Sequence, residues 1–241
     1  MARIHMVLQG KGGVGKSMIA AVLAQYKAAK GHTPLCIDTD PVNATFEGYK
    51  ALAVRRLQLL DGDEINTRHF DTLIEQIAGA EDDVIIDNGA SAFVPLSHYL
   101  ISNQVPALLE ELGHTLIVHT VITGGQALPD TVSGFAQLAG QFPAGSPFVA
   151  WLNPYWGAIE HEGRGFEQMK AYTTHKARVA ALIQIPPLKE ETYGRDFAQM
   201  LQARLTFDEA LALSTLTIMT RQRLKIVKAQ LFAQLDNAAV L

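Results

Sequence analysis

Eight consecutive residues, Gly10-Lys11-Gly12-Gly13-Val14-Gly15-Lys16-Ser17, set glycines, two lysines and a hydroxyl in the spacing Gly-x-x-x-x-Gly-Lys-Ser/Thr. Each residue type suits the gripping of a polyphosphate. Glycines let the backbone take angles closed to other residues, so that successive N–H groups turn inward on phosphate oxygens. Lys16 brings a point charge to the β and γ phosphates, and the Ser17 hydroxyl can ligate Mg²⁺. A helix opening at this point adds unpaired N–H groups and the positive end of its dipole. The nucleotide-binding stretch is therefore expected to be Gly12, Gly13, Val14, Gly15, Lys16, Ser17 and Met18. Lys11 is a second cation in the same loop, and its repulsion from Lys16 is tolerable when phosphate charge lies beside them.

Carboxylates follow at two other places. The apolar run ending Ile37-Asp38-Thr39-Asp40-Pro41 carries Asp38 and Asp40 to its carboxyl end, where open α/β sheets bind ligands. One could hold Mg²⁺ through water while the other orients an attacking water, since phosphoryl transfer needs positioning more than deprotonation. Val84-Ile85-Ile86-Asp87 is a second apolar run ending in an acid, the arrangement that approaches Mg²⁺ in phosphate-loop enzymes. Ser17 and Asp87 are therefore expected at the metal, with one of Asp38 and Asp40 beside them; which of the two the residues alone leave open.

The elements that must position these groups are readable as alternating apolar runs and helical periods, the pattern of β-α units. Strands are predicted at Ile4 to Gln9, Pro34 to Asp38, Val84 to Asp87, Thr115 to Ile122, Phe148 to Asn153 and Val179 to Ile185. Each is apolar nearly throughout, as in a parallel sheet covered on both faces. Helices are predicted at Ser17 to Lys30, with Gly31 as a left-handed stop, and at Thr67 to Ala78, Gly125 to Gln141, Lys189 to Ala203 and Leu216 to Leu235. The fold class is α/β, a mostly parallel sheet flanked by helices on both faces. No repeat, low-complexity tract or linker divides the 241 residues, so a single domain over 1–241 is expected.

Composition narrows the partners. Twenty Lys plus Arg against 24 Asp plus Glu give a net charge of −4, which offers no excess field for nucleic acid, and direct nucleic-acid binding is not expected. The single cysteine, Cys36, lies in an apolar run as a buried thiol of a reducing compartment would, and neither a secretory signal nor a membrane span is read; the cytoplasm is expected. The scattered histidines lack His-Glu-x-x-His spacing, so no zinc site is read, and Asp61-Gly62-Asp63-Glu64 reads as a solvated turn. Between Arg68 and Arg164 there is no Lys or Arg, which reads as buried strand and acidic helix surface or, more sharply, as a partner surface centred on Phe93 to Leu109. The basic and apolar helix near Arg221 to Phe232 reads as docked on the sheet in preference to lying on a membrane. Trp151, Tyr155 and Trp156 cluster beside Asn153, which suggests packing near the nucleotide or, alternatively, stacking on its base.

Lys11-Gly12-Gly13-Val14-Gly15-Lys16-Ser17 resembles the deviant Walker A pattern of the ParA/MinD group of P-loop ATPases. The resemblance implies a P-loop NTPase fold, ATP with Mg²⁺, and an ATP-dependent homodimer in which Lys11 reaches the nucleotide of the opposite subunit. It implies a water-orienting switch role for Asp40, so that Lys11, Lys16 and Asp40 form the expected catalytic set, and it places Asp38 near the metal. Asn153 and Pro186 sit where related ATPases hold adenine. Guanine is not expected, because Asn153-Pro154-Tyr155-Trp156 lacks the Asn-Lys-x-Asp pattern. The chain departs from the group in reading Asp40-Pro41-Val42-Asn43 and in lacking a proline after Asp87. Stretches from end to end, among them CIDTDPVNATFEGYK, VPLSHYLISNQVPALL and QIPPLKEETYGRDF, are similar to a family of conjugative-transfer proteins of IncP-type plasmids and integrative elements. That implies a partner in the transfer machinery. The alternatives are a phosphate-transferring metabolic enzyme of the dethiobiotin synthetase type and an ATP-binding module that does not hydrolyse.

Overall fold

A computed structural model describes residues 1–241. Seven apolar or short segments become the strands of one sheet: β1 (Arg3–Val7), β2 (Leu35–Asp38), β3 (Arg55–Arg56), β4 (Val84–Asp87), β5 (Thr115–Thr123), β6 (Phe148–Asn153) and β7 (Val179–Gln184). Their order is β7-β6-β5-β1-β4-β2-β3, and every pairing is parallel. Six of them match the predicted runs to within two residues at each end. β3 was not predicted: two arginines carry no apolar signature, and only pairing with Ile37 and Asp38 makes them a strand. The turn Asp61 to Glu64 closes a small antiparallel hairpin, as a solvated turn should.

The helices are α1 (Lys16–Ala29), α2 (His69–Ala78), α3 (Phe93–Ser102), α4 (Val105–Glu111), α5 (Leu128–Gln141), α6 (Lys170–His175), α7 (Arg195–Gln202), α8 (Phe207–Ala212) and α9 (Ile218–Asp236). Side-chain alternation along the strands sorts the core into two layers. Ile4, Met6, Val84, Ile86, Val118 and Phe148 meet α2 to α5 on one face, while Val7, Ile85, Ile117, Val121 and Trp151 meet α1 and α7 to α9 on the other. Gly31, at φ 89°, ends α1 as predicted. α9 buries Leu224, Val227, Leu231 and Leu235 against the sheet, which explains its apolar stripe, and no helix is long and apolar enough to cross a membrane. Phe93 to Leu109, read as buried surface or as a partner surface, sends Phe93, Leu96, Leu100, Val105 and Leu109 into the core and leaves Val94 and Leu108 exposed. Lys189 to Ala203 divides into a π-type turn, Glu190–Gly194, and α7.

A polar chain crosses the α1 layer. The Trp151 indole N–H donates to His119 Nδ1 at 3.0 Å, and His119 Nε2 lies 3.0 Å from His5 Nδ1. Because Nδ1 of His119 accepts, its proton sits on Nε2 and is donated to His5, whose own proton is then on Nε2, 3.8 Å from Asp83. Asp83 closes the chain with Lys27 of α1 at 2.6 Å and the Arg3 amide at 2.9 Å. Burial pushes the Cys36 thiol up to about 12, consistent with an inert buried group.

Candidate nucleotide site

β1 occupies the middle of the sheet, and the chain leaving it at the carboxyl edge forms the glycine-rich loop before entering α1. Gly13 (φ 72°) and Gly15 (φ 105°) take the left-handed region, which only glycine enters freely. Phe93, at the start of α3, packs its ring on Gly10 so closely that a Cβ there would lie 3.0 Å from it. Lys16 is only 8% exposed, and its Nζ donates to the Lys11 carbonyl at 3.0 Å. Burial lowers the Lys16 pKa against the attraction of Asp87 and Asp40. Ser17 and Met18 follow in the first helical turn, both half-buried.

Across from Lys16, β4 ends in Asp87, whose two carboxylate oxygens are buried and make no hydrogen bond. Burial raises its pKa to about 7; the Ser17 hydroxyl and Lys16 favour the charged form, Asp38 and Asp40 oppose it. A buried carboxylate without partners is expensive, and a cation there would answer it. The donor set of Asp87 with the Ser17 hydroxyl therefore fits a hard divalent ion.

The other two acids are engaged by their own loop. Asp38 Oδ1 accepts the Asp40 amide and Oδ2 the Glu47 amide, both at 2.9 Å, so this side chain anchors the segment after β2, and burial raises its pKa. Asp40 Oδ1 accepts the amides of Val42 at 2.9 Å and Asn43 at 3.0 Å. The loops after β2 and β4 are locked together: Thr39 donates to the Asp87 carbonyl and to Asn88, and a Cβ at Gly89 would strike the Asp40 carboxyl.

Lys11 pairs within its own chain, Nζ lying 2.7 Å from Asp130 of α5, with the two side chains 44% and 57% exposed. Asn153, expected at the adenine, makes two hydrogen bonds within the chain. Its Nδ2 donates to the Val14 carbonyl at 2.9 Å and its Oδ1 accepts the Tyr155 amide at 3.2 Å, so the side chain braces the phosphate loop. Pro186 stands half-buried just past β7, beside the end of β6. Of the three aromatics, Trp151 is buried and belongs to the histidine chain, Tyr155 is exposed, and Trp156 donates its indole N–H to the Gly13 carbonyl at 3.2 Å.

Residues that sequence reasoning passed over complete the support. Gln9 Nε2 donates to the carbonyls of Val121 and Thr131, Thr131 Oγ1 accepts the Thr123 amide, and Thr123 Oγ1 donates to the Asn153 carbonyl at 2.8 Å. A glutamine and a threonine at the ends of apolar strands, with a threonine in the helix that follows, were the available signal, since buried polar groups need partners. A cleft of about 400 Å³ at the β6–β7 edge, lined by Leu152, Pro154, Phe166 and Gln184 among others, includes none of the phosphate-loop residues.

Residues 5–237 match the family described as the CobQ/CobB/MinD/ParA nucleotide binding domain. Two Escherichia coli proteins, each called Protein TraL, are 81% and 78% identical over 241 residues and are covered in full, as is this chain. MinD of Pyrococcus horikoshii, solved with Mg-ADP, superimposes with a TM-score of 0.52 at 18% identity, over 99% of this chain and 98% of that one. A chain of the MinC:MinD complex of Aquifex aeolicus gives 0.54 at 13% identity over 96% of each. At these identities the two structures establish the fold.

Proposed function

The chain belongs to the CobQ/CobB/MinD/ParA nucleotide-binding family, and from that premise we propose that it binds ATP with Mg²⁺, hydrolyses it slowly, and uses the nucleotide to switch into a homodimer that engages a protein of a conjugative transfer apparatus. The observation that carries the reading is the pairing of a glycine loop holding Lys16 with Asp87, whose buried oxygens have no partner. Lys16 exchanges the Lys11 carbonyl for phosphate oxygens, and the amides from Gly12 to Met18 receive the remaining charge. Ser17 and Asp87 would hold Mg²⁺, with Asp38 nearby as the anchor of the loop, and the ion would supply positive charge to the phosphates. Asp40 uses Oδ1 in its own turn, leaving Oδ2 to orient a water toward the γ phosphorus. The water's oxygen bonds to that phosphorus as the bond to the β–γ bridging oxygen breaks, releasing ADP and phosphate. Pro186 borders the adenine, while Asn153 serves by bracing the loop.

Lys11 is the switching element in this scheme. An exposed ion pair contributes about 0–1 kcal/mol, so the contact with Asp130 releases Lys11 cheaply to the nucleotide of a second copy. The likeness to the TraL proteins supports a transfer-apparatus partner. Calorimetry with Mg-ADP and Mg-ATP tests the binding: heat from the unmodified chain and at least ~100-fold weaker binding by Lys16→Ala are expected. Light scattering should find a dimer with ATP and a monomer with ADP. No heat with either nucleotide would sink the reading.

A further inference from the structure

The phosphate loop is rich in glycine, so something outside it must hold its shape. Two side chains from one short turn do so. Asn153 Nδ2 reaches the Val14 carbonyl at 2.9 Å, and Trp156 Nε1 reaches the Gly13 carbonyl at 3.2 Å, so adjacent peptide groups are held from the same turn. In a planar trans peptide the C=O and the following N–H point in opposite directions. A carbonyl of Gly13 drawn toward Trp156 therefore aims the Val14 N–H away from it, and a carbonyl of Val14 drawn toward Asn153 does the same for the Gly15 N–H.

The turn is seated for this work. Gly124 and Gly125 lie directly under it, and a Cβ on either would collide with the backbone carbonyl of Gly157 or Trp156. Thr123 fixes the Asn153 carbonyl from below at 2.8 Å. Trp156 itself remains 56% exposed and makes an edge contact with Tyr155, ring centres 4.9 Å apart, so burial does not account for its place. The hydrogen bond to the phosphate loop does.

We propose that Trp156 is a positioning residue for the phosphates of the nucleotide: its indole N–H holds the Gly13 carbonyl from outside and thereby presents the Val14 amide to the anion. This rests on the nucleotide reading above. Preorganised donors bind without first giving up conformational freedom, so removal of the strap is felt in affinity while the ligand-free fold is untouched. Base stacking by the same ring would predict a loss confined to ligands that carry a base.

The two accounts separate on Trp156→Phe, which keeps an aromatic ring and removes the donor. Mg-ADP and, separately, inorganic tripolyphosphate with Mg²⁺ are titrated calorimetrically into the full-length unmodified chain and into W156F, and the ligand-free melting temperature of each is recorded. The expected result is a loss of about three- to tenfold in affinity for both ligands alike, the worth of one hydrogen bond, with the melting temperature unchanged. Equal affinities in the two proteins would overturn the proposal. So would a loss for Mg-ADP alone, or an unmodified chain that binds Mg-ADP and ignores tripolyphosphate, since either puts the energy in the base. An unmodified chain that binds neither ligand would bring down the nucleotide reading itself and this inference with it.

Discussion

α1 presents a lysine to an aspartate of the β4 segment twice, with opposite results. Near the amino edge of the sheet, Lys27 touches Asp83 at 2.6 Å, and the carboxylate also takes the Arg3 amide and faces the His5–His119–Trp151 chain. Burial alone would raise the Asp83 pKa, but the groups from His5, Lys27 and Arg3 hold it well below the usual carboxylate range. At the carboxyl edge Lys16 and Asp87 do not meet. Lys16 turns to a backbone carbonyl, and Asp87 is left with both oxygens orphaned and a pKa of about 7. The same two residue types on the same two elements thus make a closed structural pair and an open site. The difference lies in whether the carboxylate has a cation in contact with it inside the chain.

Breaking the closed pair should have the largest effect on stability. Lys27→Met leaves Asp83 buried without its cation, and a loss of about 3–5 kcal/mol is expected by urea unfolding at pH 7. A loss under about 1 kcal/mol would mean that Asp83 is carried by the Arg3 amide and the histidines alone.

The histidine chain should make the same region sensitive to acid. Burial lowers the pKa of both rings, that of His119 well below 6.5, so both are neutral in the folded chain. Their contribution is complete above about pH 6.5 and is lost as the pH falls below it, because the unfolded chain takes up protons that the folded pair refuses. In an Asp87→Asn background, which removes the opposing titration of that carboxylate near pH 7, unfolding free energies at pH 7 and pH 5.5 should differ by about 2–3 kcal/mol, and Trp151→Phe should shrink the difference. Asp83 acts in the same direction but only below about pH 4. A flat profile from pH 7 to 5.5 would show that the rings charge in place.

At the open end the sign reverses. Asp87→Asn removes a buried carboxylate that has no partner, so the ligand-free chain should gain about 1 kcal/mol while Mg²⁺-dependent nucleotide binding is lost. Destabilisation with binding intact would mean that Asp87 is structural. The smallest change in stability is expected from Lys11→Ala, under about 0.5 kcal/mol, because the contact with Asp130 is exposed. The same variant should abolish ATP-dependent dimers in light scattering, and survival of those dimers would remove Lys11 from the switch.

Legibility in the sequence followed the same division. Buried parallel strands are apolar runs, so Val84 to Asp87 and Phe148 to Asn153 could be read to the residue, and the phosphate loop advertises itself because few residue types can do its work. What stayed hidden depends on partners distant in the chain. Asn153 and Trp156 meet carbonyls some 140 residues earlier, at separations of 139 and 143, and a backbone oxygen leaves no trace in a sequence. Asp130 looked like any first-turn acid until Lys11 was placed beside it. The charge-poor Phe93 to Leu109 segment could be read both ways, since a core-facing helix and a contact surface draw on the same apolar residues.

The ring resting on Gly10 ties two otherwise separate parts of the molecule. Phe93 opens α3 with its ring against the glycine loop, so near that a methyl group on Gly10 would press on it at 3.0 Å. Any side chain at position 10 would have to be accommodated by that ring, whose neighbour in the chain, Val94, is uncovered.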